Sequence, residues 1–257
     1  MPAPTNTLKQ RFQAGDTTFG CWLSFAEAAS TEVMGTAGFD WLVIDSEHAP
    51  NDIRSIRDQL MALQSSPSPA IVRVPVGEPW IIKQVLDVGA QSILVPMVES
   101  GEQAAQMVRA CTYPPTGMRG VGATSTRSSR FSTIEDYLHT ADDQIALILQ
   151  VESRAGLAAL DDILAVGGVD CVFIGPADLA ADMGHRGNPG HPEVHGAIVD
   201  TLGRIAAAGK VPGILSLSDE VAESYVAAGA RFVAVAIDVI TLSKAAQATA
   251  KRWINPS

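Results

Sequence analysis

The chain has 257 residues, of which 47% are hydrophobic and 18% are charged, and its 18 basic and 28 acidic side chains give a formal net charge of −10. This composition excludes an intrinsically disordered chain, because enough apolar surface is present to build a core. The negative charge and the aromatic content of 5% argue against binding to nucleic acid or to an anionic membrane surface, which leaves an enzyme or a small-molecule binder.

Eight short runs of β-branched and other apolar residues predict eight β-strands. Each run is continuously apolar rather than alternating, which is typical of strands buried on both faces of a parallel sheet. In chain order the runs are 19–24, 41–45, 70–75, 92–96, 145–151, 171–175, 211–216 and 232–238. Helical stretches separate them, for example at 52–64, 102–111, 193–208 and 218–228.

Glycines at the ends of the predicted helices support this alternation. Gly89, Gly209 and Gly229 each stand where a helix would end before the next strand, a position that favours glycine. A strand–helix unit repeated about eight times over ~250 residues is the pattern of a (β/α)8 barrel. No charged linker or low-complexity segment interrupts the pattern, so we expect one α/β barrel domain over residues 1–257.

The cysteines and the chain's N-terminal segment predict a cytoplasmic protein. Residues 1–12 lack the apolar core of a secretory signal, and apolar runs such as 232–237 are far shorter than the ~18 residues of a membrane span. Cys21, Cys111 and Cys171 are widely spaced, so we expect reduced thiols rather than disulfides. Cys171 lies within an apolar run and is expected to be buried rather than nucleophilic.

Polar residues stand at the carboxyl ends of the predicted strands. In (β/α)8 barrels those ends form the active-site face, and the opposite ends here carry no comparable set of ionisable groups. The residues are Asp45, Glu47, His48, Arg73, Glu99, Gln150, Glu152, Asp178, Ser216 and Asp238. Glu99 and Asp238 could equally cap the following helices or bind a loop, and both alternatives stay open at this point.

Glu152 and Asp178 predict a site for a divalent metal ion. Gln150 and Glu152 lie two apart on one strand and face the same side, while Asp178 follows the Gly175–Pro176–Ala177 turn after the next strand. Two converging carboxylates repel each other unless one is protonated or a cation lies between them. Oxygen ligands suit Mg²⁺ or Mn²⁺, and backbone N–H groups of the turn could receive a substrate carboxylate.

His48 and Arg73 are the candidates for proton transfer and for anion stabilisation. His48 follows the second strand among acidic residues, where an imidazole can exchange protons near neutral pH. Arg73 lies within an apolar run, and a buried guanidinium needs an anion such as an enolate or carboxylate. The remaining histidines, expected to be surface or structural residues, are His139, His185, His191 and His195.

The lysines argue against Schiff-base chemistry. A Schiff-base aldolase on this fold needs a lysine at the carboxyl end of a strand. None of the five, which are Lys9, Lys83, Lys210, Lys244 and Lys251, occupies such a position. Carbon–carbon bond chemistry on this barrel would therefore rely on a metal ion to stabilise an enolate.

Four segments carry a resemblance to a known family: 39–50 (FDWLVIDSEHAP), 94–98 (LVPMV), 113–122 (YPPTGMRGVG) and 172–179 (VFIGPADL). They resemble the metal-dependent class II pyruvate aldolases of the phosphoenolpyruvate/pyruvate superfamily. That family includes 4-hydroxy-2-oxoheptanedioate, 2-dehydro-3-deoxyglucarate and 2-keto-3-deoxy-rhamnonate aldolases. The similarity runs from about Phe19 to Trp253, and the heptanedioate aldolase of aromatic-compound degradation is the member that the motifs resemble most.

The resemblance implies a role for each matching residue. Glu152 and Asp178 would hold the metal, His48 would accept a proton, Arg73 would stabilise the enolate, and Asp87 would support the basicity of His48. Other positions would contact the substrate. Gln150, Asp178 and the backbone of Ala177 would bind pyruvate, while Trp22, Val121 and Leu215 would shape the aldehyde pocket.

The resemblance also implies an activity and an assembly. The expected reaction is the reversible cleavage of a 4-hydroxy-2-oxo acid into an aldehyde and pyruvate, or a related 2-oxo acid such as hydroxypyruvate, with Mg²⁺, Mn²⁺ or Co²⁺ bound. The expected assembly is a homohexamer, a trimer of dimers, that exchanges the Ala-rich helix Ile240–Trp253 between subunits and has its sites near interfaces. Residues 123–131 depart from the family's usual pattern, which leaves the acceptor aldehyde undetermined.

Two other functions remain compatible with the sequence. The first is an acyl-CoA lyase of the citryl- or malyl-CoA type, which shares the barrel and the metal pair. Its substrate's phosphates call for a basic patch, and the 18 basic residues form no clear cluster in the sequence. The second is a non-catalytic binder of oxo acids, which would need neither a base nor an enolate-stabilising arginine.

Overall fold

A computed structural model of the protein describes residues 1–254 and confirms the predicted barrel. Eight parallel strands close in the order β1 to β8, with β8 pairing back to β1. The strands are β1 Thr18–Leu23, β2 Trp41–Asp45, β3 Ala70–Arg73, β4 Ser92–Val95, β5 Ala146–Val151, β6 Cys171–Ile174, β7 Val211–Leu215 and β8 Phe232–Ile237. The last three residues of the predicted domain, 255–257, lie outside the described residues.

Helices connect the strands and surround the barrel, as the alternating pattern predicted. They are α1 Thr7–Ala14, α2 Ala28–Gly35, α3 Ile53–Ala62, α4 Pro79–Asp87, α5 Gly101–Cys111, α6 Tyr137–Thr140, α7 Arg154–Ala158, α8 Leu160–Leu164, α9 Pro176–Asp182, α10 Pro192–Ala207, α11 Asp219–Ala227 and α12 Asp238–Trp253. No helix in the described part of the chain is long and apolar enough to cross a membrane.

Aromatic side chains fill the interior of the barrel. The Trp41 and Phe232 rings stack with their centroids 3.9 Å apart, and Phe173 packs edge-on against Phe232. Gly20 on β1 permits this filling, because a Cβ atom there would lie 2.1 Å from the Trp41 ring. Cys171 is buried in the same cluster, as expected from its apolar surroundings.

Helix α1 closes the barrel at the amino-terminal ends of the strands, which the sequence pattern did not predict. Leu8 and Phe12 are buried in the interior cluster, and the Phe12 ring meets Phe232 edge-on at 5.4 Å. Lys9 donates a 2.6 Å hydrogen bond to the carbonyl of Ile145 and so ties the helix to the start of β5. The interior is thus solid from this end, and the open face is at the carboxyl ends of the strands.

Candidate active site at the carboxyl ends of the strands

Arg73 is held at this face by two carboxylates. Asp45 and Arg73 end neighbouring strands and are paired in register. Arg73 donates from Nε and Nη2 to the two oxygens of Asp45, at 2.9 and 2.7 Å. Its Nη1 lies 2.8 Å from Oε2 of Glu47, and its guanidinium packs over the Trp22 ring at 5.4 Å. This fork of charge-assisted contacts fixes the guanidinium plane.

The loop after β2 presents Glu47 and His48 beside that pair. The backbone N–H of Glu47 donates to Oδ1 of Asp45 at 3.0 Å, and Asn51 donates to the Asp45 carbonyl at 2.6 Å. His48 Nε2 lies 3.9 Å from Oε2 of Glu47, and the His48 side chain is 66% exposed. The imidazole therefore stands in water at the rim, where a substrate or another chain can reach it.

Glu152 is the most strongly perturbed carboxyl of the site. It is buried at the end of β5, where the N–H of Met97 donates to its Oε1 at 2.9 Å and Gln150 Nε2 donates to its Oε2. Burial raises the pKa of Glu152 to about 7, although the two hydrogen bonds oppose the shift. The negative charges of Glu47 and Asp178 add to the increase.

Gly175 makes room for the Glu152 carboxylate. A Cβ atom at residue 175 would lie 2.2 Å from Oε2 of Glu152 and 2.9 Å from its Cβ, so no larger residue fits. Gly175 is also the N-cap of α9, whose first turn contains Pro176, the exposed Ala177 and Asp178. The predicted turn therefore exists, and it brings the charge of Asp178 close to that of Glu152.

These residues fit a hard divalent cation. Burial raises the pKa of Glu47 as well, and the charges of Asp45 and Asp178 contribute, while Arg73 and His48 oppose the shift. One buried acceptor, Oε1 of Gln150, has no hydrogen-bond partner among the described residues. A cation among these oxygens would relieve the repulsion and could supply the missing contact.

The structure does not bring Asp87 to His48 within one chain. Asp87, at the end of α4, accepts a 3.2 Å hydrogen bond from the buried Arg119. Arg119 also packs over the Tyr113 ring at 4.4 Å. The predicted support of His48 by Asp87 therefore has no counterpart in the contacts of a single described chain.

The other predicted site residues occupy varied environments. Trp22 is buried in the barrel interior beneath Arg73, Leu215 is half-buried at the end of β7, and Val121 is 65% exposed on the loop after α5. The alternative for Asp238 is confirmed, because this carboxylate accepts from the backbone N–H groups of Ser24 and Val239.

Glu99 and Glu47 also belong to the polar residues at the carboxyl ends of the strands. Ser153 donates to Oε1 of Glu99 at 2.6 Å, so Glu99 supports the N-cap of α7. The sequence predicts that Glu47 lies at the rim but assigns it no function, whereas in the structure Glu47 is a second partner of Arg73. The only sequence feature that could have indicated this contact is the position of Glu47 just after the strand that ends in Asp45.

Comparison with known proteins agrees with this geometry. Residues 18–245 match the family model described as HpcH/HpaI aldolase/citrate lyase. The chain is 56% identical to the hydroxypyruvate/pyruvate aldolase of Roseobacter denitrificans, over 98% of this chain and 99% of the relative. It is 49% identical to the 4-hydroxy-2-oxo-heptane-1,7-dioate aldolase of Klebsiella pneumoniae, over 96% and 94%.

A solved structure shows the same architecture. A crystal structure of an HpcH/HpaI aldolase/citrate lyase family protein from Burkholderia cenocepacia superimposes with a TM-score of 0.93 and 41% identity, covering 96% of this chain and 99% of that one. The comparisons confirm the predicted aldolase family, and the hydroxypyruvate/pyruvate aldolase is the more similar of the two named relatives by sequence identity.

Replacing Glu152 with Gln will stabilise the metal-free protein at alkaline pH. The pKa of Glu152 is raised from 4.5 to about 7 in the folded state, so this group lowers the free energy of unfolding as pH rises from 4.5 to about 7, and its effect is constant above that pH. The shift corresponds to about 3 kcal/mol. Urea unfolding in EDTA should show Glu152→Gln more stable than wild type at pH 8 by up to that amount, with no difference near pH 4.5.

The exposed Glu223→Gln on α11 is the matched control, because its side chain remains in water in both states. It should leave the pH dependence unchanged. A Glu152→Gln protein that is less stable than wild type at pH 8 would contradict the assignment of a costly buried charge.

Proposed function

The chain belongs to the HpcH/HpaI aldolase/citrate lyase family and is a carbon–carbon lyase of the aldolase type, and we propose that it cleaves 4-hydroxy-2-oxo acids in a metal-dependent, reversible reaction. The products are an aldehyde and pyruvate, or a related 2-oxo acid such as hydroxypyruvate. The observation that carries the proposal is the buried Glu152, whose pKa is raised to about 7 beside Asp178, in the same rim as the fixed guanidinium of Arg73. Residues 1–257 form one aldolase domain in this proposal.

Glu152 and Asp178 would hold the divalent ion. Their oxygen donors, with water or substrate oxygens in the remaining positions, favour Mg²⁺, Mn²⁺ or Co²⁺ over ions that prefer sulfur or nitrogen. When bound, the ion would draw electron density from the carboxylate and 2-keto oxygens of the substrate. Gln150 and the backbone N–H of Ala177 would complete the recognition of the 2-oxo acid.

The chain's own residues would carry the proton and stabilise the developing charge. His48, directly or through one water, accepts the proton of the 4-hydroxyl group. The C3–C4 bond then breaks, the aldehyde carbonyl forms, and the electron pair of the broken bond passes to the pyruvyl fragment as an enolate. Arg73 keeps further N–H groups on Nη1 and Nη2 to donate to the enolate oxygen until C3 takes up a proton.

Several features support the proposed homohexamer with an exchanged C-terminal helix. Only the start of α12 lies against the barrel, and every described residue from 241 to 254 is exposed. These residues include Leu242, which is 58% exposed, and Trp253, which is 71% exposed. A long helix whose apolar side chains are left in water calls for a covering surface, and a second copy of the chain can supply one.

The same assembly would complete the site. Asp87 pairs with Arg119 within its own chain, so in this proposal it supports His48 across a subunit contact. Val121 would reach the aldehyde pocket in the same way, from the exposed loop after α5. A cytoplasmic location is proposed as well, in line with the three free, buried cysteines.

Removing the metal or its ligand will abolish pyruvate release from a 4-hydroxy-2-oxo acid. Dialysis against EDTA should eliminate the activity and Mg²⁺ or Mn²⁺ should restore it, while Asp178→Asn should remain inactive after metal addition. Arg73→Ala should lose about 2–4 kcal/mol of transition-state stabilisation, as other oxyanion donors do. The assay couples pyruvate to NADH oxidation and contains no CoA.

Arg109→Ala, which removes an exposed arginine from α5, is the matched control and should retain full activity. Undiminished activity in EDTA would overturn the metal's role. A loss smaller than about tenfold in Arg73→Ala, with circular dichroism unchanged, would count against the enolate-stabilising role.

Light scattering will report a mass near six times 27.0 kDa for the wild-type chain at micromolar concentration. Leu242→Glu, which places a charge on the exposed face of α12, should reduce that mass. Val33→Glu is the matched control, because Val33 is an equally exposed residue on α2. A wild-type mass of 27.0 kDa would contradict the assembly.

A further inference from the structure

A second group of metal-ligating side chains lies in the segment that joins α9 to α10 and in the first turn of α10. His185, His191 and Glu193 each offer one ligand atom, and these three atoms lie within 4.8 Å of one another. His185 Nε2 is 2.9 Å from Oε2 of Glu193. The two imidazole rings stack with centroids 3.5 Å apart and an interplanar angle of 14°.

We propose that these three residues bind one borderline divalent ion, with Zn²⁺ as the best match. Two imidazole nitrogens and one carboxylate oxygen are the donors that zinc prefers, with water filling the fourth position. This donor set differs in kind from the oxygen-only set of Glu152 and Asp178, which favours harder ions. The two sites therefore select different metals, and the second does not depend on the proposed reaction.

The backbone holds the three residues in place. Gly184 and Gly187 take positive φ angles of 87° and 78°, and the N–H of His185 donates a 2.7 Å hydrogen bond to the carbonyl of Ala180. His191 is the N-cap of α10, and Glu193 lies in the first turn of that helix. The backbones of His191 and Glu193 are thus fixed by the start of a helix, and the backbone of His185 is fixed by a hydrogen-bonded turn.

Binding requires one of the two partly exposed imidazoles to rotate out of the stack, because a ring nitrogen binds a metal in the plane of its ring and the two ring planes are nearly parallel. The ligands of tetrahedral zinc lie about 3.4 Å apart, a separation between the 2.9 Å of the His185–Glu193 pair and the 4.8 Å limit for the group, so the distances between the ligand atoms change by roughly an ångström or less. His185 and His191 are half-buried and Glu193 is exposed, which leaves a path for the ion and for water. Two contacts change on binding. The 2.9 Å hydrogen bond between His185 Nε2 and Glu193 Oε2 is replaced by bonds to the ion, and Nδ1 of His191, which accepts from the N–H of Glu193 at 3.3 Å, either ligates or carries the proton.

The ion would join the two helices that follow β6. The first turn of α9 contains Ala177 and Asp178, and α10 packs beside α9. A metal ion held by the residues after α9 and by the first turn of α10 would cross-link the two helices that support this part of the active-site face. It touches no reacting group, so its direct effect is on stability rather than on the chemical step.

The test uses the full-length chain without a histidine tag, stripped of metal by EDTA and titrated with Zn²⁺ against a chromophoric chelator. Wild type should bind one equivalent of Zn²⁺ at the histidine-containing site. His185→Gln, His191→Asn and Glu193→Gln should each weaken this binding by at least ~100-fold, since loss of a direct ligand costs at least as much as loss of a supporting partner. His191→Asn keeps an efficient N-cap, so it should fold normally.

His139→Gln is the matched control, because His139 lies on α6 and does not belong to the proposed zinc site. This variant should bind Zn²⁺ like wild type. Glu152→Gln should retain the histidine-containing site, and Co²⁺ bound there should show the visible absorption of nitrogen-ligated cobalt. This absorption separates the second site from the first even if Glu152 holds no metal. Unchanged Zn²⁺ stoichiometry and affinity in all three ligand variants would overturn the proposal.

Discussion

The crowding of carboxylates on one small, partly buried face is the constraint on which the rest of the site depends. Asp45, Glu47 and Glu152 are buried or half-buried, Asp178 adds its charge from the adjacent turn, and Arg73 is the one buried cation among them in the described chain. Arg73 is already shared by two carboxylates, so it cannot neutralise Glu152 as well. Burial is the largest cause of the raised pKa of Glu152, and the uncompensated negative charges of Glu47 and Asp178 add to it. A divalent ion corrects the deficit and, in a chain of net charge −10, makes the site attractive to an anionic oxo acid.

The rigid packing of the barrel interior keeps these carboxylates close together. The stacked rings of Trp41 and Phe232 and the plug formed by α1 fill the interior, so the strand ends cannot move apart to separate the charges. The carboxylates therefore stay close together at the rim, which destabilises the metal-free protein and favours the binding of a cation. The packing around Glu152 is tight, since a single methyl group at Gly175 would displace its carboxylate.

Much of this could be predicted from the sequence because continuous apolar runs and their polar ends follow directly from a parallel barrel. The sequence identifies Glu152 because it follows such a run directly, Asp178 because it follows the turn after one, and Arg73 because it lies within one. The role of Glu47 and the plug formed by α1 depend on side-chain packing between distant segments, which periodicity does not encode. His185 and His191 are six residues apart, and glycines with positive φ angles stand before His185 and between the two histidines, so only the folded turn shows that their rings stack. Asp87 was assigned by resemblance, and its contacts in one chain lead to Arg119 instead.

The central claim is that this rim forms and holds the enolate of pyruvate, and exchange of the pyruvate methyl protons with D₂O tests it most directly. Proton NMR of pyruvate with the Mn²⁺-free, Mg²⁺-loaded enzyme should show loss of the methyl signal at a rate that falls to the uncatalysed value in EDTA and in Glu152→Gln. A methyl signal that persists while the same sample cleaves a 4-hydroxy-2-oxo acid would contradict the account, as would equal exchange by wild type and Glu152→Gln.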